Sequence, residues 1–205
     1  MLQARFNLIT ADPLRMGDLV KFVEAEVRPV VESAPGSLGL SFYANPEVGV
    51  AVLESFWASR EALAESEQMV SPARHEAVQR ATGTVSVERY RVPVFEREAP
   101  LAAGAGLRLT RMDIEPSAVE DAVESYGDTV VPQVAETEGF CAALLLVHHS
   151  TGHSISETIW RTPETLAASR SPAAEIRVDM AASTGGVIRA VEEHGLIFST
   201  ARKPQ

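Results

Sequence analysis

Cysteine is almost absent from this chain. One, Cys141, occurs in 205 residues, so no intrachain disulfide can staple the fold, as expected in a reducing compartment. It reads as a small buried strand residue. Basic residues are also scarce, 18 Lys and Arg against 28 Asp and Glu, for a formal charge of −10. That balance argues against a nucleic-acid partner, since a phosphate backbone demands clustered cations and here they are scattered among acids. No apolar run approaches about 18 residues, so no segment is expected to span a membrane. The N-terminus, MLQARFNLITADP, has neither the apolar core nor the small-residue cleavage site of a secretory signal. There is no phosphate loop, no Gly-x-Ser-x-Gly elbow and no CxxC pair. With 45% hydrophobic and 22% charged residues, the expectation is a soluble, cytoplasmic, globular protein.

What is present is a repeat. Pro13 recurs as Pro116, an offset of 116 − 13 = 103. At the same offset Val20, Val27, Pro29, Val31 and Gly36 recur as Val123, Val130, Pro132, Val134 and Gly139. So do Glu54, Trp57, Glu61, Leu63, Ala64 and Ser66, as Glu157, Trp160, Glu164, Leu166, Ala167 and Ser169. The unit is domain-sized, not a solenoid repeat of roughly 20–50 residues. Two domains are expected, 1–96 and 107–205, joined by an Ala/Gly/Pro-rich linker at 97–106. The GAG inside that linker lacks the context of a dinucleotide fingerprint.

Each half reads β-α-β-β-α-β. In the first, a strand at Arg5 to Thr10 leads to a helix capped by Asp12 with Pro13 in its first turn. Apolar residues at helical spacing carry it to about Ser33, and Pro29 weakens its end. Pro35-Gly36 breaks the chain. Leu38 to Tyr43 and Val50 to Trp57 form a hairpin around Asn45-Pro46 and Gly49. Ser59 caps a helix that Ser71-Pro72 restarts, and Val85 to Phe95 is a long last strand. In the second half the strands are expected at Leu107 to Met112, Phe140 to His148, Ser154 to Trp160 and within Val187 to Ser199. Its last helix is expected to be about three residues shorter than that of the first half.

Specific segments carry a resemblance: AlaProGly running into a strand (34–40), VLESFWASREALAES (52–66), VERYRVPVFE (87–96) and ETIWRTPETLAAS (157–169). Each half resembles the antibiotic-biosynthesis monooxygenase family of the dimeric α/β-barrel superfamily. The resemblance implies an α+β fold, two tandem ferredoxin-like units closing one dimeric α/β-barrel within a single chain. It also implies a pseudo-dimeric monomer or a homodimer of such chains. The superfamily includes quinol and anthrone oxygenases, haem-degrading enzymes and proteins without known chemistry, so function has to be argued from the site.

Asn7 lies on the first strand among Phe6, Leu8 and Ile9, where an amide can orient a phenol, a carbonyl or dioxygen; its repeat partner is Thr110. Trp57, twin of Trp160, ends the third strand as a candidate pocket wall. His75 stands near the inward edge of the second helix, without a histidine at the corresponding place in the second half. Tyr43 and Tyr90 are placed to hydrogen-bond a substrate oxygen. Asn7 and His75 match the polar pair of haem-degrading relatives. Ser66, counted with the substrate-binding residues, replaces their large aromatic, which argues against haem and for an open pocket. Arg5 and Arg108, being repeat equivalents, read as structural. His148, His149 and His153 form a surface turn, because adjacent strand residues point apart and no carboxylate pattern accompanies them, so no metal is expected. Glu54 and Glu157 read as paired within the sheet.

The expected function is a cofactor-independent monooxygenase acting on a small hydrophobic, aromatic, quinol- or polyketide-like molecule. Its residues would be Asn7 as oxyanion donor, His75 as base or anchor and Trp57 as wall, in the first half. The alternatives are a noncatalytic ligand-binding or assembly barrel and, more remotely, a haem-binding or haem-degrading protein.

Overall fold

The computed structural model describes residues 1–203. Strands β1 (Gln3–Thr10), β2 (Ser37–Asn45), β3 (Val50–Trp57), β4 (Thr84–Arg97), β5 (Gly106–Asp113), β6 (Phe140–Val147), β7 (His153–Trp160) and β8 (Val187–Ser199) alternate with paired helical segments. These are α1 (Met16–Phe22), α2 (Arg28–Ser33), α3 (Arg60–Glu65), α4 (Glu67–Arg80), α5 (Val119–Ser125), α6 (Val131–Ala135), α7 (Pro163–Ala168) and α8 (Arg170–Thr184). Each half is β-α-β-β-α-β, as its pattern implies. The strands join in a closed barrel, in the order β1-β3-β2-β8-β5-β7-β6-β4. This is the α+β dimeric-barrel class expected from the resemblance.

The chain separates into two compact units, Met1–Tyr90 with the segment from Leu196, and Arg91–Gly195. The division cuts β4 and β8, so each long strand serves both units. In the first unit, Thr200 N–H donates to Leu40 O and Arg202 N–H to Leu38 O, extending the sheet beside β2. In the second, the later half of β4 pairs with β6 from Arg91↔Val147 to Arg97↔Ala142.

The first helical arm starts as foreseen, with the Asp12 carboxylate accepting from Leu14 N–H. It does not continue as a plain α-helix. Val23–Val27 is a π-helical turn, closed by Arg28 N–H donating to Val23 O, five residues back. Pro29 explains it: proline offers no N–H and its ring crowds the carbonyl four residues earlier, and a wider preceding turn relieves both. Pro132 repeats the device, with Tyr126–Val130 as the π turn and Val131 N–H on Tyr126 O.

Two expectations about the second arm are corrected. The break falls at Ser66, which ends α3 and begins α4, while α4 runs unbroken through Pro72. The carbonyl that Pro72 cannot bond belongs to exposed Gln68, where water can take it. Nor is the last helix of the second half shortened. It spans 15 residues against 14, and ends on Gly185, 103 after the left-handed Thr82.

Each unit packs its helices on one face of its strands. In the first, Leu19, Val23, Val27, Val31, Leu40, Leu53, Trp57, Leu63 and Val70 form one buried cluster. In the second, Val119, Tyr126, Val134, Leu145, Trp160 and Leu166 do the same. Burying each such side chain contributes about 1.5–3 kcal/mol. Gly36 and Gly139 set the close approach of sheet and helix. Their φ angles are +75° and +84°, and a Cβ there would lie 2.5 Å from Ala62 or Thr165. Cys141 is buried in β6, as expected, and burial raises its thiol pKa.

Candidate functional site

The register of β1 against β3 places Arg5 opposite Ser55, Asn7 opposite Leu53 and Ile9 opposite Ala51. Ile9, Ala51 and Leu53 belong to the helix-facing core, so Arg5 and Asn7 share that face, roughly 6.5 Å apart along the strand. Arg5 is 0% exposed and Asn7 3%. A buried guanidinium must be hydrogen-bonded and charge-compensated to be tolerated. Arg5 Nη2 donates to Leu63 O at 2.6 Å and to Ser66 Oγ at 3.0 Å, and lies 3.0 Å from Glu67 Oε2. Ser66 Oγ donates in turn to Leu63 O. The guanidinium carbon sits 5.4 Å from the Trp57 ring centroid, a cation–π distance.

Glu67 is the hub. Its carboxylate also receives Arg74 Nη2 and, at 3.3 Å, Arg89 Nη2. Partial burial opposes its ionisation, but the Arg74 hydrogen bond and the charges of Arg5, Arg74 and Arg89 prevail and hold its pKa low. Burial lowers the Arg5 pKa to about 10, despite the help of Glu67. Three guanidiniums therefore share one carboxylate, in a chain whose net charge is −10.

The second unit offers an internal control. Arg108 stands where Arg5 does, donating to Leu166 O at 2.7 Å and Ser169 Oγ at 2.8 Å, with Trp160 at 6.0 Å. Arg177 stands where Arg74 does. Glu67, however, is replaced by Arg170, and the carboxylate comes instead from Glu193 on the last strand. Arg170 Nη2 lies 2.6 Å from Glu193 Oε2. The ion pair between helix start and last strand is kept with its polarity reversed. Glu193 Oε1 also accepts from Arg108 Nε at 3.2 Å and Nη2 at 2.9 Å. All three Arg108 nitrogens are thereby used. In the first unit, Arg5 Nε, Arg5 Nη1, Arg74 Nη1 and Asn7 Oδ1 are buried and have no hydrogen-bond partner among the described residues.

The residues expected from sequence divide into those this arrangement gathers and those it does not. Trp57 and Ser66 meet at Arg5 on the helix-facing side, and Asn7 lies two residues along β1 on the same face. Asn7 gives one Nδ2 hydrogen to Leu53 O at 2.8 Å, and its Oδ1 is the buried atom without a partner. Trp57 is fully buried, its indole N–H on Ser55 Oγ. Ser66 does not open a pocket; it fills the place with hydrogen bonds. Tyr43 lies opposite Val52, on the other sheet face, and Tyr90 packs edge-on against Phe6 at 6.4 Å with its hydroxyl on Glu88. His75 is exposed, its Nδ1 against the Ser71 carbonyl at 2.8 Å. It is not at an inward edge and does not meet Asn7. Helical rotation decides this: Arg74 and Ala77 take the buried stripe of α4 and leave position 75 outside.

Sequence reasoning missed Glu67, Arg74 and Arg89. The available signal was an arginine at 5 and 108, set in apolar strands, together with a sign change from Glu67 to Arg170. Elsewhere, a groove of about 650 Å³ runs between α1 and the end of α4, lined by Arg15, Lys21, Phe22, Glu26 and Arg80 among others. It contains none of the expected residues. The histidine turn is exposed, with His153 Nδ1 2.6 Å from Asp113 Oδ1. Among the described residues no cluster suited to a metal ion is formed, and no helix is long and apolar enough to cross a membrane.

No family model matches the chain. An uncharacterized protein of Mycobacterium tuberculosis is 27% identical over 206 residues, spanning 100% of this chain and 87% of that protein. Among solved structures, a proposed monooxygenase of Fusobacterium nucleatum superposes with a TM-score of 0.73 at 11% identity, covering 98% of this chain and 94% of the other. An anthrone oxidase-like protein gives 0.69 at 16% identity, covering 97% and 92%. The chain shares the monooxygenase-like ferredoxin fold of these structures.

Proposed function

We propose that the chain is an oxygenase-type enzyme whose site lies on the helix-facing side of the sheet in residues 1–90. It would act on a small hydrophobic molecule bearing a phenol or enol. The observation that carries this reading is the contrast between twin positions. Arg108 spends every nitrogen on its own protein, while Arg5 and Asn7, equally buried, keep polar atoms unspent. Leaving such groups buried and unmade costs about 1–3 kcal/mol each, and cost of that kind concentrates at functional sites. The fold shared with monooxygenase-like and anthrone oxidase-like proteins supports the same class.

The chemistry follows from the residues. A phenol or enol beside the Arg5 guanidinium ionises more readily, because the adjacent positive charge favours the anion. No histidine is needed as base, consistent with His75 being exposed. The proton leaves to water, the anion passes one electron to dioxygen, the carbon radical and superoxide recombine to a peroxide anion, and a proton taken back from water completes the hydroperoxide. Loss of water then leaves a ketone, so one O₂ converts a CH₂ group to C=O plus H₂O. Arg5 stabilises the anion, Asn7 Oδ1 accepts from the hydroxyl or hydroperoxide, and Trp57 backs the ring.

Haem does not fit these residues. The histidine that would ligate it is exposed and bonded to its own helix, and Leu19, Val23, Val27 and Trp57 fill the space between helices and sheet. The same filling favours a second reading, a noncatalytic barrel. Oxygen uptake with anthrone and naphthoquinol substrates separates the two. Uptake abolished by Asn7→Ala, with the fold retained, supports the enzyme; none with any such substrate leaves the barrel.

A further inference from the structure

We infer that the Arg5, Arg74 and Arg89 cluster is a receptor for an anionic oxygen group, a carboxylate or enolate on an apolar body. This rests on the placement of the site in residues 1–90 but not on any reaction there. The cluster carries three positive charges against the single carboxylate of Glu67. Two of its guanidiniums are at least nine-tenths buried, Arg5 at 0% and Arg74 at 7% exposure. Between them they hold three unspent donors, Arg5 Nε, Arg5 Nη1 and Arg74 Nη1. A neutral ligand would satisfy donors but leave the charge; an oxyanion answers both, through charge-assisted hydrogen bonds.

The second unit shows what such an oxyanion does. Glu193 Oε1 sits on Arg108 Nε and Nη2 at 3.2 and 2.9 Å. It is a built-in carboxylate, and of the two atoms it meets Nε is unspent on Arg5, while Arg5 Nη2 already meets Leu63 O, Ser66 Oγ and Glu67 Oε2. Arg89, half exposed, and Glu67 form the rim through which a ligand reaches the buried pair. In the first unit Glu67 holds Arg5 Nη2, and Arg5 Nε, Arg5 Nη1 and Arg74 Nη1 are left for an oxyanion supplied in trans.

The test uses benzoate as the anion and benzyl alcohol as its neutral counterpart, read by the ¹H–¹⁵N resonance of Arg5 Nε in the full chain. Benzoate is expected to shift that resonance saturably and leave Arg108 Nε unmoved, and benzyl alcohol is expected to do neither. The double variant Glu67→Arg with Arg89→Glu installs the polarity of the second unit, which that unit shows to be compatible with folding. It is expected to keep the native circular dichroism and to weaken benzoate binding about 10- to 100-fold, the loss expected for a charged hydrogen-bonded contact. No saturable shift, an equal shift at Arg108, or undiminished binding by the swapped variant would overturn the proposal. Benzoate binding without oxygen uptake on any quinol keeps the anion site and removes the oxygenase reading. Uptake that benzoate does not inhibit keeps the enzyme and removes the anion site.

Discussion

Arg5 and its twin make the residue scale unusually readable, because one fold position has been solved twice. Ser66→Ala removes the hydroxyl that accepts from Arg5 and bonds Leu63 O. The expected cost is about 1–3 kcal/mol, seen as a lower urea midpoint with unchanged slope. Ser169→Ala should cost less, because Arg108 keeps two contacts to Glu193. The carboxylates set the pH response. Glu67 and Glu193 have pKa values below the ordinary 4.5, Glu193 chiefly through its hydrogen bond to Arg170. A depressed native pKa means the unfolded state binds more protons, so this stability is fully present above pH 4.5 and lost as pH falls through the depressed values. The melting temperature is therefore expected to hold from neutrality to about that point and then fall; the Glu67→Gln/Glu193→Gln variant should start lower and show a shallower acid slope.

At the scale of elements, the junction between α2 and β2 carries the sharpest constraint. Gly36→Ala imposes a Cβ 2.5 Å from Ala62 Cβ at a φ of +75°. Both the clash and the left-handed backbone penalise it, and a loss of about 2–4 kcal/mol is expected from strain and displaced core packing. Gly139→Ala should behave alike against Thr165, and chemical denaturation of both variants checks the parallel. The elements were largely legible in the sequence. Pro13, Gly36, Ser59 and their twins are local signals with local causes, so strands and caps fall where expected. The π turns were not, because Pro29 announces only that an α-helix is disturbed there, and the form of relief depends on packing. The orientation of His75 was hidden for a similar reason: α4 begins at Glu67, and the phase of the helix, set by its buried stripe, decides which side faces out. The role of Arg5 was half legible. Its recurrence as Arg108 marks structure, yet which donors stay unspent depends on acids distant in sequence.

For the whole molecule, the sharing of β4 and β8 has a direct consequence for dissection. Residues 1–96 hold a complete β-α-β-β-α-β pattern but lack Thr200, whose N–H bonds Leu40 O, and Phe198, whose ring lies 6.0 Å from Phe42. Expressed alone, that fragment is expected not to yield a folded monomer, because β2 is left with an open edge and an uncovered aromatic. Size exclusion and near-ultraviolet circular dichroism check it. A stable folded monomer would mean that the border of autonomous folding lies at the domain boundary near residue 96 rather than within the shared strands.

The inverted ion pair also limits what a single substitution can do. Reversing Glu67–Arg89 into Arg170–Glu193 takes at least two substitutions, and the state between them carries either two acids or two bases at those places. Two bases beside the buried arginines would have left a cationic pile without a counter-charge, whereas two acids would have been shared among guanidiniums already present. The single variant Arg89→Glu is therefore expected to show a higher urea midpoint than Glu67→Arg, the acidic mismatch being the better tolerated beside buried guanidiniums.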